Sequence, residues 1–192
     1  NPTVHKERFN EFLRQYVDKI KSPLFVTNTR ADGITDEFIV LLKKCGCSGI
    51  AIGVEHAHPE VFKLINKGET IETIEKACRL IKKHKFGLIL TFIIGLPGDN
   101  LERTKASIEF CKKVKADGVS LNIMVPYKGT TARDWFDKHG IIIENEIGMD
   151  GQVKKQFECI EPVFETPDFS KSDREKAYYM FLFGVAHQKL KL

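Results

Sequence analysis

The chain has 192 residues, 42% hydrophobic and 29% charged, the size and composition of one globular domain that buries roughly 70% of its unfolded surface. Thirty Lys and Arg against 26 Asp and Glu give a net charge of +4 with both signs interspersed, which argues against a nucleic-acid partner. No apolar run approaches the roughly 20 residues of a membrane span.

Taken in order, residues 8–20 place Phe9, Phe12, Leu13, Tyr16, Val17 and Ile20 at the spacing of an amphipathic helix, which Ser22-Pro23 ends. Residues 24–28 read as a buried strand, and Thr35 caps a helix that Gly46 stops. The same grammar then repeats. Residues 49–55 form a strand, Pro59 opens a short helix to about Ile65, and Thr70 opens a longer one to about His84. Leu88 to Gly95 is an apolar strand running into Leu96-Pro97-Gly98-Asp99; Leu101 to Val114 is helical, and Val119 to Val125 is a fourth strand with a loop over 126–130. Strands alternating with helices demand parallel pairing with right-handed crossovers. Four such units give an α/β fold, a partial TIM-like (β/α) barrel fragment with about four parallel strands. From residue 141 the grammar changes to a C-terminal extension. Here 141–146 suggests one more strand, 148–155 a turn and 156–166 an extended segment, before Ser170 caps a final helix with Tyr178, Phe181, Leu182 and Val185 on one side.

Ligands of parallel α/β folds bind at the carboxyl ends of the strands, so the loops there are the candidate site. Asn28 and Arg30 follow the first strand, where Arg30 is either a ligand contact or a salt-bridge partner. Glu55 ends an apolar strand, an expensive place for a carboxylate without a partner or ligand. His56 and His58 lie in a polar loop without metal-ligand spacing and read as surface histidines, while Lys67 most simply serves a helix end. Thr91 and the Gly95–Asp99 turn end the third strand; this turn is neither GxGxxG nor a P-loop. Asn122, Pro126, Tyr127 and Lys128 end the fourth. The cysteines Cys45, Cys47, Cys78, Cys111 and Cys159 contain no CxxC and suit structural thiols in a reducing cytoplasm.

The order of these pieces resembles the second half of the radical S-adenosylmethionine domain. TNTRADGITDEFIVLLKKCGCSGIAIGVEH is followed by VFKLINKGETIETIEKACRLIKKH, then LTFIIGLPGDNLERTKASIEFCKKV, then MVPYKGTT. The likeness covers about Phe9 to Gly140 and is strongest to the branch that often carries an upstream cobalamin-binding domain. It implies a partial (β/α)6 barrel whose C-terminal half is residues 1–140, with 141–192 an extension of short strands and a helix. It further implies an enzyme that uses a four-iron four-sulfur cluster, held through CxxxCxxC in the first loop, to cleave S-adenosylmethionine reductively and start radical chemistry on an unknown substrate.

Carried over residue by residue, Glu55 resembles the polar residue that meets the ribose, and Lys67 a basic position near the methionine carboxylate. Thr91 resembles a ribose contact, Ile94, Gly95, Leu96 and Pro97 the segment along the adenine, and Asn28 and Arg30 face the same cavity. This sequence has no CxxxCxxC. The resemblance therefore implies that the chain is a fragment, inactive alone, whose partner is the missing N-terminal half of the same protein. An exposed strand edge over 24–28 then predicts self-association. Two rivals are a degenerate half-barrel acting as a binding or interaction module and an aldolase-like barrel using Lys128.

Overall fold

A computed structural model describes residues 5–20, 22–24, 26–142 and 162–186. Among them run α1 (Lys6–Lys19), β1 (Val26–Thr29), α2 (Asp36–Lys44), β2 (Gly49–Glu55), α3 (Pro59–Ile65), α4 (Ile71–Lys83), β3 (Gly87–Ile94), α5 (Leu101–Val114), β4 (Gly118–Ile123), α6 (Thr131–His139), β5 (Ile141–Ile142), β6 (Phe164–Glu165) and α7 (Lys171–Ala186). The alternation of strand and helix expected over the first four units is the one observed. Residues 143–161, which include Cys159, the expected turn over 148–155 and most of the expected strand over 141–146 and extended segment over 156–166, lie outside the described residues.

Local chemistry sets the helix starts. Thr35, Thr70 and Thr130 each accept a hydrogen bond from the backbone N–H three residues on, and the Ser170 hydroxyl does the same for Asp173. Asn100 caps α5 through its bond from the Arg103 N–H. Helix α6 forms over residues where no helix was expected, although Ala132, Trp135 and Phe136 fall at a helical spacing; Thr130 starts it and Phe136 anchors it in the core.

The sheet has the order β1-β2-β3-β4. β1 and β2 are parallel, with Val26 opposite Ile50 and Thr29 opposite Ile52. The Gly87 N–H bonds Ser48 O at the starts of β2 and β3, and the Met124 N–H bonds Ile94 O at the ends of β3 and β4. Starts meet starts and ends meet ends, so these strands also run the same way. Along β3, Leu88, Leu90, Phe92 and Ile94 are buried while Ile89, Thr91 and Ile93 are half-open. That alternation leaves one face of the strand on the helix side and the other partly available. On β2 the face carrying Gly49, Ala51, Gly53 and Glu55 is small except for the terminal carboxylate.

By internal contacts the chain divides into two compact units: Asn1–Val54, Gly68–Thr91 and Cys111–Ser120 form one, and Glu55–Lys67, Phe92–Phe110 and Leu121–Leu192 the other. In the first, Leu13 is the buried residue of α1, Phe9 packs on Phe38 of α2, and Ile39, Leu42, Ile74 and Ile81 line the core. The second contains the strand-end turns and the C-terminal extension. There α7 presents Arg174, Ala177, Phe181 and Val185 inward, whereas Leu182, expected on that side, is exposed. The exposed Leu182 falls one residue past Phe181, off the stripe that the helical period selects.

Phe181 lies with its ring centroid 4.9 Å from that of Phe92. The extension is thus built into the core of its unit. Phe181→Ala is expected to cost about 3–5 kcal/mol in urea unfolding at constant m-value; a loss below about 1 kcal/mol would mean that α7 does not share the β3 core.

Candidate functional site

Glu55 is the last residue of β2, and its backbone sits in the left-handed region at φ 66°. For a residue with a Cβ this conformation costs on the order of 1 kcal/mol, and it persists only where the surroundings over-determine it. Pro59 then begins α3, which ends on Asn66 at φ 45°, so the chain doubles back and brings Lys67 against the strand end. The Lys67 Nζ lies 3.1 Å from Glu55 Oε1, with the lysine side chain 12% and the glutamate side chain 28% exposed. A carboxyl group at the end of an apolar strand is thereby given a cationic partner and still reaches solvent. It can accept two further hydrogen bonds, as a pair of vicinal hydroxyls would supply.

After β3 the chain makes a tight turn. The Asp99 N–H bonds Leu96 O at 2.9 Å, Pro97 follows Leu96, and Gly98 has φ 76°, the pattern of a type II turn. Gly95 just before it sits at φ 86°, and both of its polar backbone groups are held. Its N–H donates to Asp99 Oδ2 at 2.8 Å, and its carbonyl accepts from Arg174 Nη1 at 3.1 Å. A Cβ on Gly95 would fall 1.9 Å from that nitrogen. Ile94 is buried with Phe169 and Ala177, and Leu96 is buried as well, so this segment offers backbone rather than open apolar side chains.

Asp99 itself is enclosed. Its carboxylate takes a bond from His56 Nε2 at 3.0 Å and lies 3.3 Å from the Thr104 hydroxyl. His56 Nδ1 accepts the His58 N–H at 3.0 Å, so the ring is neutral at Nδ1 and donates from Nε2. The expectation that His56 is a surface histidine is therefore wrong: it is 2% exposed. Its neighbours in the sequence are polar, but its partner stands 43 residues away. His58 is half-buried.

Arg174 was not singled out in the sequence. It is 1% exposed, donates to Gly95 O, Phe169 O and Thr166 Oγ1, and lies over the rings of Phe164 and Phe169. Burial pulls it down to about 10, against the raising effect of Asp99 and Glu165, so it remains a cation at neutral pH. The available signal was its position three residues before Ala177 and seven before Phe181, on the apolar stripe of α7.

In the other unit, Arg30 follows β1 and its Nη2 reaches Asp32 Oδ2 at 3.0 Å and the Gly68 carbonyl at 3.4 Å, the ion-pair alternative allowed from the sequence. Thr91 is half-buried on the open face of β3, and Asn28 lies in β1. Asn122 and Tyr127 are exposed and Pro126 is buried.

Among the described residues no three His, Cys, Asp or Glu side chains are grouped to hold a metal. Cys45, Cys47, Cys78 and Cys111 are free and buried, and burial pushes Cys78 and Cys111 up to about 12. Metal ligation needs thiolates, and these thiols are kept protonated. The described residues do not fit an iron-sulfur cluster.

A parallel sheet whose strands alternate with helices is the arrangement of a barrel-type α/β fold. The Radical SAM superfamily profile matches residues 1–133, and the chain belongs to that superfamily. It is 25% identical over 183 residues to an uncharacterized methyltransferase of Pyrococcus horikoshii, covering 93% of this chain and 38% of that protein. The fold matches coproporphyrinogen III oxidase (HemN) from Escherichia coli, a radical SAM enzyme, with TM-score 0.64 and 15% identity over 94% of this chain and 37% of the other. It also matches the radical S-adenosylmethionine methyltransferase TsrM from Kitasatospora setae, a structure with cobalamin and a [4Fe-4S] cluster bound, with TM-score 0.54 and 22% identity over 64% and 26%. The chain spans less than two fifths of the length of each of these three proteins.

Protonation of Cys78 and Cys111 has a direct readout. Iodoacetamide at pH 8.5 is expected to leave both unlabelled in the folded protein and to label both in denaturant, as mass spectrometry of tryptic peptides would show. Labelling of either in the folded protein at the rate of a free thiol would mean that the site is open and acidic.

Proposed function

We propose that the protein of which these 192 residues are part is a radical S-adenosylmethionine enzyme, and that this chain supplies part of its S-adenosylmethionine site. The observation that carries the reading is Glu55, a half-open carboxylate on strained backbone at the end of β2, secured by Lys67. In this reading Glu55 accepts the ribose hydroxyls, and Lys67 pairs with it while adding positive potential for the methionine carboxylate. The Gly95–Pro97 backbone, with its own polar groups bound internally, presents a rigid edge to the adenine. Asn28, Arg30 and Thr91 enter as further contacts on the strength of the resemblance. Bound S-adenosylmethionine would supply a sulfonium whose one-electron cleavage starts radical chemistry.

The cluster ligands and the electron source belong to a part of the polypeptide other than the described residues, and that part is the chain's partner. Cobalamin is a cofactor to test for, as TsrM binds it. The substrate is open. No described helix is long and apolar enough to cross a membrane, and free thiols suit a reducing cytoplasm.

The full-length protein, purified and reconstituted without oxygen, is expected to hold about four iron and four sulfide per chain and to release 5'-deoxyadenosine with dithionite. Absence of both would overturn the reading in favour of a binding module. Glu55→Gln is expected to weaken S-adenosylmethionine binding about tenfold or more by calorimetry, because a charge-assisted acceptor is lost, with iron content unchanged. β1 ends the sheet order, and the isolated 192-residue chain is expected to self-associate through that edge; a monomer by light scattering would refute this.

A further inference from the structure

Glu55 and the Gly95–Gly98 turn follow different strands, and a buried side-chain contact links them. His56, the residue after Glu55, donates to Asp99, the residue that closes the turn. Asp99 in turn binds the Gly95 N–H, while Arg174 holds the Gly95 carbonyl from the other side. The chain from Glu55 to the Gly95 peptide thus passes through two side chains, each at most 4% exposed.

We propose that His56 is a positioning residue of the S-adenosylmethionine site: through Asp99 it sets the Gly95–Gly98 turn against Glu55, so that the ribose acceptor and the adenine edge are presented as one rigid surface. The inference rests on the proposed function above and adds a residue to it.

Three features support this role over plain core filling. The ring has both nitrogens used in fixed senses, Nδ1 accepting from the His58 N–H and Nε2 donating to Asp99, so its orientation and tautomer are set. Its bonds join two separate loops at the strand ends, whereas the other side-chain donor to Asp99, Thr104, comes from α5 and makes its other hydrogen bond to Asn100 O at the start of that helix. The backbone beside it is strained at Glu55, φ 66°, which is where a loosened tie would relax first. A binding surface that must hold a ribose and a base together loses affinity steeply when its parts move by a fraction of an ångström.

The test uses the full-length protein with S-adenosylhomocysteine as the probe, binding read by calorimetry and stability by thermal unfolding. His56→Gln keeps an amide N–H near the Nε2 position, while His56→Asn places it near Nδ1 and short of Asp99. Thr104→Val removes the other side-chain donor to Asp99 and leaves the loop tie intact. The expected result is near wild-type affinity for His56→Gln and for Thr104→Val, and about tenfold weaker binding for His56→Asn. Equal affinity of His56→Asn and His56→Gln overturns the inference. So does a loss in Thr104→Val as large as that in His56→Asn, which would mark a general packing effect. If the wild-type protein does not bind the probe, the proposed function itself fails and this inference falls with it; if it binds and the two His56 variants do not differ, only the inference falls.

Discussion

The second unit is organised around a carboxylate that water does not reach. The Asp99 side chain is fully buried, and moving an ionised carboxyl out of water costs several kcal/mol unless donors replace the lost hydration. Those donors come from three directions: the His56 ring beyond β2, the Gly95 N–H at the end of β3, and the Thr104 hydroxyl on α5. Together they satisfy the carboxyl oxygens, so a single side chain ties a loop, a turn and a helix start. The buried cation of Arg174 completes the arrangement. It offsets the negative charge without a direct carboxylate bond and uses its own donors on the Gly95, Phe169 and Thr166 oxygens.

The same constraint explains why the position before the turn must be glycine. With its N–H taken by Asp99 and its carbonyl by Arg174, Gly95 is forced to φ 86°, and the guanidinium occupies the space a Cβ would need. The C-terminal helix is tied to the strand end at that same carbonyl. Residues that the sequence grammar separates as an extension are therefore part of what shapes the β3 turn.

Glu55 and Asp99 show how environment divides two carboxylates between roles. Asp99 has every neighbour a donor and no exposure, and it can only hold structure. Glu55 is balanced by one lysine and keeps more than a quarter of its side chain accessible, so its remaining lone pairs are available to a ligand. The cysteines offer nothing comparable. Those described are buried thiols, and the described His, Cys, Asp and Glu side chains form no group that could hold a metal.

Much of the fold was legible because it is written in short-range patterns. The β2 span, the Thr caps of α2 and α4, the Pro59 start of α3 and the Leu-Pro-Gly-Asp turn each depend on residues a few positions apart, where propensity and hydrogen-bond geometry act directly. Glu55 stood out for the same reason, as a charge at the end of an apolar strand. His56 was misread and Arg174 overlooked because their partners lie 43 and 79 residues away, and no local pattern announces a bond of that span. Helix α6 was missed although Ala132, Trp135 and Phe136 stand at a helical spacing, because it is only nine residues long and follows a turn-rich loop; its anchor, Phe136 on Phe164, is not a local contact. The sequence by itself determined the alternation of the first four strands with their helices, the positions of the turns and the residues at the strand ends, since these follow from backbone preference and apolar spacing. Only the tertiary structure decided which charges are buried, which donors answer them and so which strand-end residues hold structure and which remain open to a ligand, because the cost of a buried charge is set by groups that folding alone brings together.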